Sequence, residues 1–188
     1  MTAAVRKTFG LLAGILIYYL VHEGAHLVLA MAFGVFQEVR FLELGVQIAI
    51  TSREALSDLQ FAAFNAAGAG ASLAIAYLLV LSAGRINRLK GKVVKAVGYY
   101  TTILLLLNDP FYLSVLCGFV GGGDMNGIVM FGISETAARV AFGALGLVNL
   151  GIVWKYVLPA YRAGFAGTGD RNRDGKRGFE RKSNGRLV

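Results

Sequence analysis

Two histidines and a glutamate are spaced so that they could bind a metal ion and use it. His22 and His26 are the only histidines of the 188-residue chain, and Glu23 directly follows the first. In an α-helix, residues i and i+4 project from the same face, so both imidazoles can reach one ion. Two such nitrogens, a third protein ligand and an open position for water describe a catalytic zinc site. Glu23 would then be the general base that accepts a proton from that water.

The motif lies in a long apolar stretch. Between positions 9 and 36 the only strongly polar residues are His22, Glu23 and His26. About 20 apolar residues cross a bilayer, and ionisable groups inside a span are costly and usually functional. We therefore expect a transmembrane helix that carries a site. The alternative is a histidine pair satisfied by neighbouring helices beside a protonated glutamate, which explains neither the spacing nor the glutamate.

The composition is that of an integral membrane protein. Hydrophobic residues make up 56% of the chain and charged residues only 16%, against about 25% charged in soluble domains. We expect an all-α polytopic membrane protein with about four transmembrane helices and a short β-hairpin-like insertion after the first. The cell membrane is its expected location if the chain is prokaryotic. The single cysteine, Cys117, excludes an intrachain disulfide and is expected to be a buried packing residue.

The net charge of +8 is partitioned by segment, which argues against nucleic acid as the partner. Basic residues occur at 6–7, at 85–95 and at 171–186, whereas the two other connections are net acidic. This alternation follows the positive-inside rule and predicts that both termini are cytoplasmic. We expect residues 1–165 to form the membrane domain, and residues 166–188 to form a basic, disordered cytoplasmic tail that touches anionic lipid. The tail opens like an EF-hand loop at Asp170, but Arg181 occupies the twelfth position, which argues against calcium.

Short strands are expected after the first span, which we place at 9–36. Residues 39–51 are β-branched and partly alternate, so they predict two strands with a bend near Gly45, at or just within the membrane surface. The alternative is an irregular interfacial loop. A capping-box pattern at 51–54 then predicts a second long helix that runs to about Ser82. Its run of small residues at 65–72 allows close approach to the histidine-bearing helix. Asn65 in this run could position substrate or make an ordinary interhelical contact.

A third span is expected at 93–107. It meets Asn108, Asp109 and Pro110, where proline should break or kink the helix. Because apolar sequence resumes at 111–120, we expect the break at membrane depth, buried in protein or beside a wet cavity. Three glycines and Asp124 follow, then a short helix at 125–131 and a last span at 135–158 capped by Ser134.

Together these features resemble the site-2 protease family of intramembrane zinc metalloproteases, in its small, compact branch. The match rests on His22-Glu23-Gly24-Ala25-His26 in an apolar helix, the strand-like segment, the small residues at 67–72, and Asp124 downstream of Asn108 and Pro110. The interval from Asn108 to Asp124 is longer than in the family's usual motif. The resemblance covers about residues 9–158.

The third ligand is expected to be an aspartate. Asp109 and Asp124 are the only acidic residues between positions 58 and 135. We favour Asp124, because it follows three glycines, precedes a predicted helix and lies where the family places its ligand. Asp109 is the alternative ligand, or else a residue that orients a ligand or breaks the helix. The resemblance alone implies that Asn108 positions substrate or stabilises the oxyanion.

The sequence thus predicts an intramembrane endopeptidase with one Zn²⁺ per chain. Its substrate would be a membrane protein cleaved in or near a transmembrane segment, as in regulated intramembrane proteolysis. One rival is a non-proteolytic metal-binding membrane protein, and another is a small ion-coupled transporter whose His and Asp residues relay ions. The charge pattern places His22 in the outer half of the bilayer, whereas the resemblance places the site nearer the cytoplasm.

Overall fold

A computed structural model describes residues 1–42, 45–89, 91–120 and 123–165. Of these described residues 81% are helical, and a two-stranded hairpin follows the first helix. Within the described residues, four helices are long and apolar enough to cross a membrane: Ala3–Ala32, Asp58–Arg88, Lys92–Phe119 and Glu135–Phe165. These findings confirm the helical fold class and the hairpin. The predicted tail, residues 166–188, lies outside the described residues.

Helix α1 spans Ala3–Ala32 and carries both histidines on one buried face. It begins earlier than expected, because the Thr2 side chain accepts a hydrogen bond from the amide of Val5 and caps the helix. It ends just before Gly34, whose φ of 69° favours glycine and turns the chain into the hairpin. The buried positions recur at every fourth residue: Gly10, Gly14, Tyr18, His22, His26 and Ala30.

Strands β1 (Phe36–Leu42) and β2 (Gly45–Ile50) pair antiparallel. The amide of Thr51 donates to the carbonyl of Val35 at 2.9 Å, so Thr51 turns its backbone groups toward the β1 side. Successive residues of a strand alternate in this respect. Val46, Ile48 and Ile50 therefore turn their backbone groups away from β1, along the other edge of β2.

Helix α2 (Asp58–Arg88) begins later than the sequence predicted. Its capping box is formed by Ser57 and Gln60, with Gln60 N to Ser57 Oγ at 3.2 Å and Ser57 N to Gln60 Oε1 at 3.0 Å. The predicted start at 51–54 is wrong, because Thr51 is still bonded to the hairpin and the Ser52 hydroxyl binds the amide of Glu54 locally. Both segments have the capping-box form, and tertiary contacts decide which one is used.

Helix α3 (Lys92–Phe111) contains Pro110 and is not broken by it. The chain continues through a π-helical turn, Tyr112–Leu116, into the short helix α4, Cys117–Val120. A proline leaves the carbonyl four residues earlier without its donor. Here Asn149 Nδ2 donates to the carbonyl of Leu106 at 2.7 Å, and Tyr77 donates to Asn149 Oδ1 at 2.8 Å. The helix therefore does not break at 108–110, because a buried amide replaces the missing donor, and its distortion is confined to the π-helical turn.

The remaining elements are α5 (Gly123–Ile128), a 3₁₀ turn (Val129–Phe131), α6 (Glu135–Ile152) and a π-helical turn (Val153–Val157). Ser134 caps α6 as predicted, accepting from the amide of Ala137 at 3.2 Å. A buried apolar cluster joins helix α5 to α2, to the π-helical turn that follows α3, to α4 and to α6. Its members are Ala69, Leu113, Cys117, Met125, Ile128 and Ala138. This packing fixes Asp124 over α2, and it confirms Cys117 as a buried packing residue.

Candidate metal centre

The two histidines of α1 bring their Nε2 atoms together beside α2. These atoms are 3.3 Å apart. Gly68 packs directly against them: a Cβ at that position would lie 2.5 Å from His26 Nε2 and 2.6 Å from His22 Nε2. Only a residue without a side chain leaves this space. The small-residue run of α2 therefore packs against the histidine-bearing helix, as expected, and makes room for both rings.

Asp124 completes a three-residue group. Its Oδ2 lies 3.2 Å from His22 Nε2 and its Oδ1 lies 3.5 Å from His26 Nε2. One ligand atom from each residue lies within 4.8 Å of the others. Ligands at about 2.0 to 2.2 Å from a tetrahedral zinc ion lie roughly 3.3 to 3.6 Å from one another, so the spacing suits one ion. Two imidazoles and one carboxylate are also a donor set that leaves the fourth position open.

The other ring nitrogen of each histidine faces a hydrogen-bond acceptor. His26 Nδ1 lies 2.7 Å from the carbonyl oxygen of Phe64, and His22 Nδ1 lies 3.1 Å from Asp109 Oδ1. A carbonyl or carboxylate oxygen can only accept, so once a metal ion occupies both Nε2 atoms each Nδ1 would carry the proton. Histidines that bind metal usually donate their second N–H in this way. The two Nε2 atoms would then bind the ion together with Asp124.

Asp109 lies on the opposite side of His22 from Asp124. It is fully buried, at 0% exposure, and its Oδ1 accepts a hydrogen bond from the Tyr18 hydroxyl at 2.5 Å. It faces Nδ1, whereas Asp124 faces both Nε2 atoms, so Asp124 is the aspartate that shares a site with the two histidines. Sequence reasoning did not single out Tyr18. The sequence feature that could have indicated Tyr18 is its position, four residues before His22 on the same helical face.

A cavity of about 310 Å³ opens onto this group. Glu23, His26 and Asp124 line it together with strand β2, residues 47–50. The amide of Ile48 hydrogen-bonds the Glu23 carboxylate, which directs this carboxylate toward the strand. The rest of the lining comes from Arg40, Phe61, Phe64, Asn65, Gly123 and Asn126. One cavity is thus lined by two carboxylates, an imidazole and a β-strand.

The two asparagines that the sequence suggested as substrate-positioning residues lie in different places. Asn65 lines the cavity, and its Nδ2 donates to the carbonyl of Phe61 at 2.8 Å. Gly127 lies against the Asn65 side chain so closely that a Cβ there would overlap with it. Asn108 is exposed on α3 beside the Tyr18 hydroxyl and is not among the described residues that line the cavity.

Comparisons of the chain with protein-family models, with curated proteins and with solved structures find no match.

Proposed function

We propose that this protein is a zinc-dependent intramembrane endopeptidase of the kind that its motif resembles, the site-2 proteases. The observation that carries the proposal is the convergence of His22, His26 and Asp124 on one point, with Glu23 in the adjoining cavity. A histidine pair that only joins helices needs neither a carboxylate facing both Nε2 atoms nor a second carboxylate beside a cavity. A metal centre with a general base needs both.

The chain's own residues divide into ligands and a base. His22, His26 and Asp124 would hold the zinc ion. A bound zinc ion supplies a water of lowered pKa and polarises the scissile carbonyl. Glu23 accepts the proton of the attacking water and delivers it to the leaving amide nitrogen. Its place directly after His22 and its hydrogen bond from Ile48 keep this carboxylate at the cavity.

Strand β2 is the proposed binding site for the substrate backbone. Its edge away from β1 carries the backbone groups of Val46, Ile48 and Ile50. The Ile48 amide contacts Glu23, and no other strand pairs with that edge among the described residues. A transmembrane helix satisfies its own backbone groups, so a bond within it is open to attack only after local unwinding. Addition to β2 gives the unwound segment new partners. Phe61 and Phe64 supply apolar walls for its side chains.

The four long helices are proposed to lie in the lipid bilayer. Their outer surfaces are apolar, as on α1, where Leu12, Leu16 and Leu20 are each at least 60% exposed. Continuous apolar surface of this extent is unfavourable in water. The basic residues near the N-terminus and at the end of α2 favour a cytoplasmic position for both of these ends under the positive-inside rule.

The test is cleavage of a transmembrane peptide by the purified protein in detergent. Glu23→Gln should retain about one zinc per chain and lose at least about 100-fold in rate, because a positioned general base contributes roughly 10² to 10⁴. Glu54→Gln is the matched control, since Glu54 is exposed in the segment before α2. Wild-type rates in Glu23→Gln would refute the mechanism. A wild-type protein that moves ions and contains no metal would favour the transporter instead.

A further inference from the structure

We propose that Tyr18 and Asp109 act as a positioning pair that fixes the ring of His22 and thereby sets the metal affinity of the site. This inference rests on the proposed metal centre and adds to it two residues that bind no metal. Tyr18 donates to Asp109 Oδ1 at 2.5 Å, and the same oxygen lies 3.1 Å from His22 Nδ1. One carboxylate oxygen thus faces a hydroxyl and an imidazole at once.

The three side chains are held in place by packing. Tyr18 is one helical turn before His22, and their ring centroids are 5.5 Å apart. Exposure is 8% for Tyr18, 7% for His22 and 0% for Asp109. Asp109 precedes Pro110 in the segment of α3 that Asn149 stabilises through the Leu106 carbonyl. Rotamers fixed in this way keep a ligand within the tolerance that a metal requires.

Burial gives the pair its directing effect. A carboxylate out of contact with water is strongly unfavourable unless donors surround it. The Tyr18 hydroxyl is one donor, and the same carboxylate oxygen lies 3.1 Å from His22 Nδ1, so Asp109 favours the ring tautomer with its proton on Nδ1. That tautomer leaves the Nε2 lone pair directed at Asp124. Removing Asp109 would allow the ring to rotate or to carry its proton on Nε2, where it blocks a metal.

The two histidines differ in how they are held, which provides an internal reference. His26 Nδ1 faces a backbone carbonyl, that of Phe64, which no side-chain substitution removes. His22 Nδ1 faces a side chain. Substitutions of Asp109 or Tyr18 should therefore alter the ring of His22 and leave that of His26 unchanged.

The first measurement is zinc affinity by competition with a chelator, in full-length protein carrying Glu23→Gln so that no proteolysis intervenes. Asp109→Ala should weaken binding about 10- to 100-fold, the range typical for removing a partner of a ligating histidine. The zinc affinity of Asp109→Asn should lie between those of the unsubstituted site and Asp109→Ala, because the asparagine amide oxygen can still accept a hydrogen bond from His22 Nδ1. Tyr18→Phe should weaken binding less than Asp109→Ala, and it should have no further effect when Asp109 is already alanine.

The matched control is Tyr19→Phe. Tyr19 is the next residue along α1, its ring packs edge-on against that of Tyr18, and its hydroxyl lies near Gly45 of β2. Loss of this hydroxyl should leave zinc affinity unchanged. Equal losses for Tyr18→Phe and Tyr19→Phe would show general destabilisation and overturn the inference. Equal effects of Tyr18→Phe with and without Asp109 would overturn it too.

The second measurement is NMR of zinc-loaded protein labelled with ¹⁵N-histidine, which contains only two imidazoles. The Nδ1–H signal of His22 should move and exchange faster in Asp109→Asn, and to a smaller extent in Tyr18→Phe, while that of His26 stays in place. An unchanged His22 signal would refute the inference. If Asp109→Ala does not fold, both measurements are made on Asp109→Asn and Tyr18→Phe instead.

Failure of this inference can be told apart from failure of the proposed function. A wild-type protein whose zinc affinity depends on Asp109 and Tyr18, but which cleaves no membrane substrate, would support the pair and refute the protease. A protein that cleaves its substrate, but whose zinc affinity is unchanged by substitution of Asp109 or Tyr18, would support the protease and refute the positioning pair. Complete loss of zinc in Asp109→Ala, equal to that in Asp124→Ala, would make Asp109 a ligand and overturn the positioning role.

Discussion

Gly68→Ala should empty the metal site while leaving most of the fold intact. A Cβ at this position would lie 2.5 to 2.6 Å from the two Nε2 atoms, whereas an ordinary contact begins at about 3.4 Å, so the rings or α2 must move by about 0.9 Å. Metal–ligand distances tolerate only about ±0.2 Å. The substitution should therefore lower zinc affinity at least tenfold.

The effect on folding should be smaller. Alanine is favoured over glycine inside a helix by about 0.5 to 1 kcal/mol, which offsets part of the roughly 1 to 3 kcal/mol that overpacking usually costs. We expect a net destabilisation of about 0 to 2.5 kcal/mol, measured by thermal unfolding in detergent beside the zinc content. Gly70→Ala is the matched control, because a Cβ there meets nothing within 4 Å. Full zinc content in Gly68→Ala, or equal zinc loss in Gly70→Ala, would refute the reasoning.

Three further predictions concern the ligand set, the proline and the topology. Asp124→Ala should lose zinc and activity together, as measured by metal analysis and peptide cleavage; zinc retained at wild-type affinity would exclude Asp124 as a ligand. Asn149→Leu should destabilise the protein by about 2 to 6 kcal/mol in unfolding experiments, because a buried carbonyl and a tyrosine hydroxyl each lose a partner at about 1 to 3 kcal/mol; unchanged stability would contradict this. In a Cys117→Ser background, a cysteine at Thr2 should react only with cytoplasmic reagent and one at Ser52 only with external reagent, and the opposite labelling would invert the topology.

The parts of the site that the sequence predicted depend either on a local sequence pattern or on a choice among very few candidate residues. The i, i+4 spacing places His22 and His26 on one face of any helix, so their convergence needed no tertiary information. Asp124 was favoured from only two acidic residues in a long apolar region, and the structure groups it with the histidines. The hairpin followed from alternation and a glycine bend, although its first strand begins earlier, at Phe36.

The parts that the sequence did not predict depend on contacts between distant residues. Pro110 was expected to break or kink α3, but α3 continues through it because Asn149 supplies the missing donor from α6, and nothing near Pro110 in the sequence indicates this. The capping box at Ser57 was missed because the segment at 51–54 has the same form and comes first. Tyr18 resembles any aromatic residue of a membrane helix until Asp109 is seen beside its hydroxyl.

The position of the hairpin links the membrane to the proposed chemistry. His22 lies about 4.5 residues beyond the midpoint of the 30-residue α1, or about 7 Å along the helix axis. Strand β2 folds back to the same level, with Gly45 near Tyr19 and Ile48 bonded to Glu23. If α1 is centred in a hydrocarbon core about 30 Å thick, the open edge of β2 lies inside that core. Unpaired backbone groups at such depth are tolerated only where protein or a wet cavity covers them. The cavity beside Glu23 meets this requirement, and an extended substrate would meet it better, because it pairs with the strand directly. Under the proposed function, the same constraint that excludes open strand edges from lipid would favour the binding of an unwound peptide at this edge.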